Sequence, residues 1–182
     1  TGLAARVLWD EPDGALRPRS HMLLLVELKG TPYLADVGFG ILTPTAPLRL
    51  QPEIEQPTPH EPFRVLPAGE EFVMHAKIRG DWKTLYRFGL QEQLLPDYEV
   101  SNWYLSNHPE SIFVTGLMAA RPAPDRRYAL RNNEFVVHHL NGGTERRALA
   151  SVAEMRDTLE RAFCITLPNG PDVDAALAKL VW

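Results

Sequence analysis

The stretch that decides the fold is HMLLLVELKGTPYLADVGFG, His21 to Gly40. Two runs rich in strand-forming residues flank Lys29-Gly30, a pair that reads as a tight two-residue hairpin turn. In that register Leu28 pairs with Thr31, and each pair of opposed positions sums to the same value, so Asp36 falls opposite Leu23. Residues 21 and 23 share a face, which makes His21 and Asp36 diagonal neighbours on one side of the hairpin, with backbones roughly 7–8 Å apart. A three-residue turn would shift the register by one and send the two side chains to opposite faces. On one face, the carboxylate of Asp36 would fix the tautomer of His21 and support its positive charge, leaving the other ring nitrogen to activate a nucleophile. A strand-end histidine bonded to a convenient carboxylate would look the same. The Gly38-Phe39-Gly40 turn permits close backbone approach and displays an aromatic beside the pair, as a pocket for a flat apolar ligand requires.

The pattern of short strands extends outward from this hairpin. Leu3–Trp9, Met22–Leu28, Tyr33–Val37, Pro47–Leu50, Phe63–Leu66, Phe72–Ile78 and Trp82–Phe88 each end at Gly, Pro, Asp or Lys. Arg79-Gly80-Asp81 is a further hairpin turn. With no long helical pattern between them, these strands predict a closed or nearly closed antiparallel β-barrel or sandwich. The proline-rich segment Gln51–Pro62 should be a surface loop. Past residue 95 the pattern turns mixed. A short helix is expected around Tyr98–Leu105, ended by His108-Pro109, followed by strands over IFVTGLMAA, RYALRN and EFVVHHL. Ser151 with Glu154 three residues on has the form of a capping box and opens a helix whose Val152, Met155, Leu159 and Phe163 share a face. A last helix is expected over Asp172–Leu180. The fold class is therefore α+β: a β-barrel domain over residues 1–95, then a smaller α/β domain over residues 96–182.

Composition narrows the function. The 182 residues are 45% hydrophobic and 23% charged with a net charge of −4, so no broad positive field favours a nucleic acid. The longest strongly apolar run, MLLLV, is far short of the ~20 residues that span a bilayer, which makes a cytoplasmic protein without a membrane segment the expectation. Cys164 is the sole cysteine, so an intrachain disulfide and a cysteine-based zinc site are excluded. In RAFCITLP it reads as a small buried hydrophobe rather than a nucleophile. His138-His139 sit on a strand and face opposite sides, so they do not make a metal site; His60, His75 and His108 read as surface or turn residues. TGLAARVLW reads as the interior of a folded protein, and the expectation is a chain truncated at its N-terminus.

HMLLLVELKGTPYLADVGFG, followed by PLRL at Pro47–Leu50 and DYEVSNWYLSNHPESIF at Asp97–Phe113, resembles the arylamine N-acetyltransferases, several motifs falling in family order. The resemblance implies a cysteine-protease-like fold: a helical N-terminal domain, a β-barrel and an α/β lid, with a Cys-His-Asp triad. It implies transfer of acetyl from acetyl-coenzyme A (acetyl-CoA) to the cysteine and then to an arylamine, arylhydrazine or N-hydroxyarylamine, without a metal. His21 and Asp36 are then the triad histidine and aspartate. Phe39 resembles one aromatic wall of the acceptor pocket and Phe113 a second, while Gly40 and Tyr104 fall in segments that approach coenzyme A. The nucleophile belongs to the family's helical domain, which these residues do not include, so the chain alone is expected to be nearly inactive and to depend on that domain or on a chain supplying it. Two other readings stand beside this one. The first is a papain- or transglutaminase-like acyltransferase using the same triad on protein substrates; the second is a truncated, non-catalytic binding module.

Overall fold

A computed structural model describes residues 1–9, 11 and 17–181. The chain forms two compact units, Thr1–Leu105 and Ser106–Trp182.

The first unit is built on seven antiparallel strands: β1 Gly2–Val7, β2 Arg19–Leu28, β3 Thr31–Ala35, β4 Leu48–Arg49, β5 Phe63–Ala68, β6 Glu71–Ile78 and β7 Asp81–Phe88. They lie in the order β4-β3-β2-β1-β7-β6-β5. Gln56 links the two ends of this row. Its main chain exchanges hydrogen bonds of 2.8 and 2.9 Å with Phe63 of β5, and its side-chain amide brackets the Arg49 main chain of β4 at 2.7 and 2.9 Å. The sheet is thereby nearly closed, as expected of a barrel. Part of the proline-rich segment is thus its seam, with Glu53 N–H also donating to Val65 O at 2.8 Å.

The inside of this sheet follows the two-residue period of a pleated strand. Leu3 and Ala5 of β1, Leu23 of β2, Leu34 of β3, Phe63 and Val65 of β5, and Met74 and Ala76 of β6 form one buried cluster. The period breaks at two places. Between β1 and β2, Ala5 pairs with His21 but Arg6 pairs with Arg19, leaving Ser20 as the extra residue of a bulge. Between β6 and β7, Met74 pairs with Tyr86 but His75 pairs with Thr84, leaving Leu85 extra. Leu85 and Tyr86 are in consequence consecutive and both fully buried. Bulges re-aim side chains and gather beside functional sites; here one adjoins His21 and the other Tyr86. Helix α1, Leu95–Asn107, is longer than expected from the sequence and buries none of its own residues. It meets β1 through Tyr98, whose hydroxyl would lie 2.6 Å from a Cβ at position 2, so that Gly2 is needed for the fit.

The second unit holds α2 Ile112–Thr115, β8 Met118–Ala123, β9 Arg126–Arg131, β10 Glu134–His139, β11 Thr144–Ala148, α3 Val152–Phe163 and α4 Pro171–Ala178. The strands make an antiparallel sheet in the order β11-β10-β9-β8. The expected strand over IFVTGLMAA is corrected here: Ile112–Thr115 is a helical turn and only its tail joins β8. Ser111 explains this, since its hydroxyl accepts from Phe113 N–H at 3.3 Å as an N-cap, overriding the β-branched composition. β11 was not expected; its TERRA sequence lacks apolar alternation. Helix α3 begins where the capping signal puts it, with Ser151 Oγ accepting from Glu154 N–H at 3.2 Å. Its Met155, Leu159 and Phe163 pack with Leu130, Phe135 and Val137 of the sheet, and Val152 lies at the edge of that cluster.

Candidate active site

The hairpin turn sets the site. Lys29 and Gly30 have φ of 51° and 75°, the left-handed pair that a two-residue turn between twisted strands demands. Pairing runs from Leu28–Thr31 to Leu24–Ala35, which is the register expected from the sequence. Asp36 therefore follows β3 on the His21 face, and His21 Nε2 lies 2.7 Å from Asp36 Oδ2. The side chains are 10% and 2% exposed. The other carboxylate oxygen, Oδ1, accepts from Gly38 N–H at 3.0 Å. This is an Asx-type turn, in which the aspartate side chain accepts from the main-chain amide two residues on.

These bonds decide the chemistry of the imidazole. An ionised carboxylate only accepts, so Nε2 carries the proton and Nδ1 is left with its lone pair. Neutral His21 is a base at Nδ1; once protonated, it is an acid at the same atom with its charge opposed by Asp36. The barrel interior surrounds the ring with aromatics. Phe39 approaches it edge-on with centroids 5.3 Å apart, and Tyr86 lies 5.1 Å away, while Phe39 and Tyr86 are 5.0 Å from each other. Such ring contacts hold His21 in one plane while excluding water from the Asp36 side.

Tyr86 was not legible as a site residue. In TLYRF it reads as an ordinary strand position; the signal available is the adjacent pair Leu85-Tyr86, which cannot both face inward without a bulge. Its hydroxyl is buried without a hydrogen-bond partner among the described residues. Burial, first, and then the neighbouring Asp36 charge push its phenol well above the ordinary tyrosine range. The Asp36 carboxylate is thus close enough to act on the hydroxyl.

The remaining expected residues are placed as follows. Gly40 has φ of 83° and opens a 3₁₀ turn through Leu42, in the same loop as Phe39. Tyr104 is 40% exposed on α1 of the first unit. Phe113 belongs to the second unit, on α2, and is exposed. Cys164 also belongs to the second unit, where it ends α3 with φ of 59°. It is exposed, which corrects the expectation of a buried small hydrophobe: the left-handed cap turns it outward. His138 meets Thr144 at 3.1 Å and His139 meets Glu145 at 2.7 Å, and among the described residues no group of three or more potential ligands could hold a metal ion. No helix of the described residues is long and apolar enough to cross a membrane.

Comparison with known proteins bears on this site. The N-acetyltransferase family pattern matches residues 1–172. The chain is similar to an arylamine N-acetyltransferase of Mycobacterium tuberculosis, 46% identical over 169 residues, which are 91% of this chain and 59% of that protein. It is similar to an arylamine N-acetyltransferase / N-hydroxyarylamine O-acetyltransferase of Salmonella typhimurium, 35% identical over 88% of this chain and 57% of that one. Its fold matches the solved structure of Mycobacterium marinum arylamine N-acetyltransferase in complex with CoA, with a TM-score of 0.94 and 38% identity, covering 100% of this chain and 69% of the other. The chain thus spans less than two thirds of the length of the M. tuberculosis and S. typhimurium relatives.

Proposed function

This chain belongs to the N-acetyltransferase family, and on that premise we propose that it is the barrel and α/β portion of an enzyme that transfers acetyl from acetyl-CoA to an arylamine, arylhydrazine or N-hydroxyarylamine. The observation that carries the proposal is the buried 2.7 Å contact between His21 Nε2 and Asp36 Oδ2, which leaves Nδ1 as the working atom. The names of its relatives supply the substrate class: arylamine N-acetyltransferase in each case, with an N-hydroxyarylamine O-acetyltransferase activity for that of S. typhimurium and CoA in the complex from M. marinum.

In this reading a cysteine thiol, from the part of the family's length that these residues do not span, faces His21 Nδ1. A free thiol ionises at about pH 8.5, and an imidazolium partner lowers that by several units. The thiolate attacks the acetyl carbonyl, a new C–S bond forms, and the bond to the coenzyme A sulfur breaks as His21 Nδ1 returns a proton to the leaving thiolate. The amine nitrogen then attacks the acetyl-enzyme. Its proton passes to His21, and the C–S bond to the enzyme breaks to regenerate the thiolate. Asp36 stays ionised throughout, holding the ring and opposing its charge. Turnover is therefore ping-pong. Phe39 acts as an aromatic wall for the acceptor, and Gly40 and Tyr104 contribute to the coenzyme A approach. A cytoplasmic setting belongs to the same proposal.

The test is an acetyl-transfer assay with acetyl-CoA and an aromatic amine, using this chain alone and then with the cysteine-bearing N-terminal domain of a relative added. We expect negligible turnover alone and turnover on complementation that disappears with His21→Ala. Turnover by the chain alone, indifferent to His21→Ala, would overturn the proposal.

A further inference from the structure

His60 and Thr45 join two segments that the strand ladder leaves apart. The loop after β3 carries Phe39, turns through Gly40–Leu42 and rejoins the sheet at Leu48. Leu42 anchors it in the barrel core. Three residues on, Thr45 anchors it to the proline-rich segment instead. Thr45 Oγ1 lies 3.2 Å from Thr58 Oγ1 and 3.1 Å from His60 Nδ1. Thr58 Oγ1 in turn donates to Glu61 O at 2.8 Å and accepts from His60 N–H at 3.1 Å. Each hydroxyl has one hydrogen to give. That of Thr58 goes to Glu61 O, so Thr45 donates to Thr58, and His60 Nδ1 carries a hydrogen and donates to Thr45. The bonds run one way, from imidazole to Thr45 to Thr58 to the main chain. Prolines flank both halves, Pro44 and Pro47 around Thr45 and Pro57 and Pro59 around Thr58, each fixing its own φ. Gln56 of the same segment brackets Arg49 of β4. The proline-rich segment therefore holds the loop at Thr45 and the strand that follows it at Arg49.

We propose that His60 is a positioning residue for the loop that presents Phe39 and Gly40 to the aromatic acceptor and the acetyl donor, acting through Thr45. The proposal rests on the acetyl-transfer reading of the His21–Asp36 pair and adds what sets the pocket wall beside that pair. The apolar anchor at Leu42 is non-directional and leaves the loop free to pivot. A directional anchor at Thr45 removes that freedom, which would otherwise carry Phe39 off the His21 ring, 5.3 Å away. His60 acts on the shape of the binding wall and takes no part in proton transfer, so its loss falls on KM rather than on kcat.

The test is steady-state kinetics of the complemented enzyme with His60→Ala, His60→Asn and Thr45→Val. Alanine removes the Nδ1 donor, asparagine restores an N–H at similar reach, and valine keeps the shape of Thr45 without its hydroxyl. We expect His60→Ala and Thr45→Val to raise KM for the amine about fivefold, the scale of one lost hydrogen bond, with kcat little changed. His60→Asn should return KM toward that of the parent. A merely structural role would lower the urea midpoint and leave KM alone, so an unchanged KM in His60→Ala and Thr45→Val overturns the proposal. A KM raised as much by asparagine as by alanine also overturns it. If His60→Ala does not fold, Thr45→Val carries the same comparison. If the complemented parent gives no turnover, the acetyl-transfer reading fails, and the nuclear Overhauser contact between the Phe39 and His21 rings decides the positioning role by itself. A contact weakened in Thr45→Val supports that role, and an unchanged contact overturns it.

Discussion

At the scale of the residue, the account turns on charge rather than shape at Asp36. Asparagine would keep the size and an acceptor oxygen at that position, but its neutral amide neither opposes an imidazolium nor enforces one tautomer. We expect Asp36→Asn to lower acetyl transfer in the complemented enzyme by about 10³–10⁴-fold. The fold should survive, to be checked by circular dichroism beside the rate measurement. Phe39 acts differently. It packs on His21 and Tyr86, so Phe39→Ala removes one face of the imidazole's enclosure and, in the proposed function, a wall of the acceptor pocket. The expected result is a raised KM for the amine with a smaller loss in kcat, read from initial rates over a range of amine concentrations. That His21 and Asp36 lie together was legible in the sequence because the Lys29-Gly30 turn fixes a register, and register fixes faces; the Gly38-Phe39-Gly40 turn that follows sets Phe39 beside them. The place of Tyr86 was not legible, because its aim depends on a bulge that leaves no motif.

At the scale of the element, the hairpin and the seam carry most of the geometry. Gly30 sits at φ of 75°, which a β-branched side chain adopts only under strain. Gly30→Val should cost about 1–2 kcal/mol, read as a lowered urea midpoint. Another element-level consequence lies on β6. His75 sits beside Arg64 of β5, which itself stacks over Trp82 with 4.2 Å from guanidinium carbon to ring centroid. Burial, and then the Arg64 charge, lower the His75 pKa below the usual histidine value. The folded state therefore prefers neutral His75. Above about pH 6.5 both folded and unfolded chains hold it neutral and its contribution is intact; as pH falls below that, the unfolded chain takes up the proton first and stability declines. Urea unfolding at about pH 7.5 and about pH 5.5 should show this loss, and His75→Gln should reduce it. Strand placement in the barrel was legible because alternation and turn residues agree there. The helical turn of IFVT was not legible because one capping serine outweighs β-branched composition, and the strand at TERRA was not because a polar edge strand has no alternation to detect.

At the scale of the whole molecule, the outer face of β2 stands out. Met22, Leu24, Val26 and Leu28 alternate along it, between 38% and 59% exposed, and form an apolar stripe on an otherwise well-buried barrel. Stripes of this kind associate in water. We expect this chain by itself to self-associate in a concentration-dependent way, measured by sedimentation velocity, and Val26→Lys to weaken that association. The cysteine-protease-like acetyltransferase fold was legible through family motifs that recur in order, and the TM-score of 0.94 to a CoA-bound relative agrees with it. The central claim is that the His21–Asp36 pair drives acyl transfer through a thiol. It is tested most directly by mass spectrometry of the chain complemented with a relative's cysteine-bearing domain, after exposure to acetyl-CoA with amine withheld. The account predicts one acetyl group on the added cysteine, discharged when amine is supplied, and no such acetyl when His21 is replaced by alanine. Equal acetylation and discharge with and without His21 would contradict it.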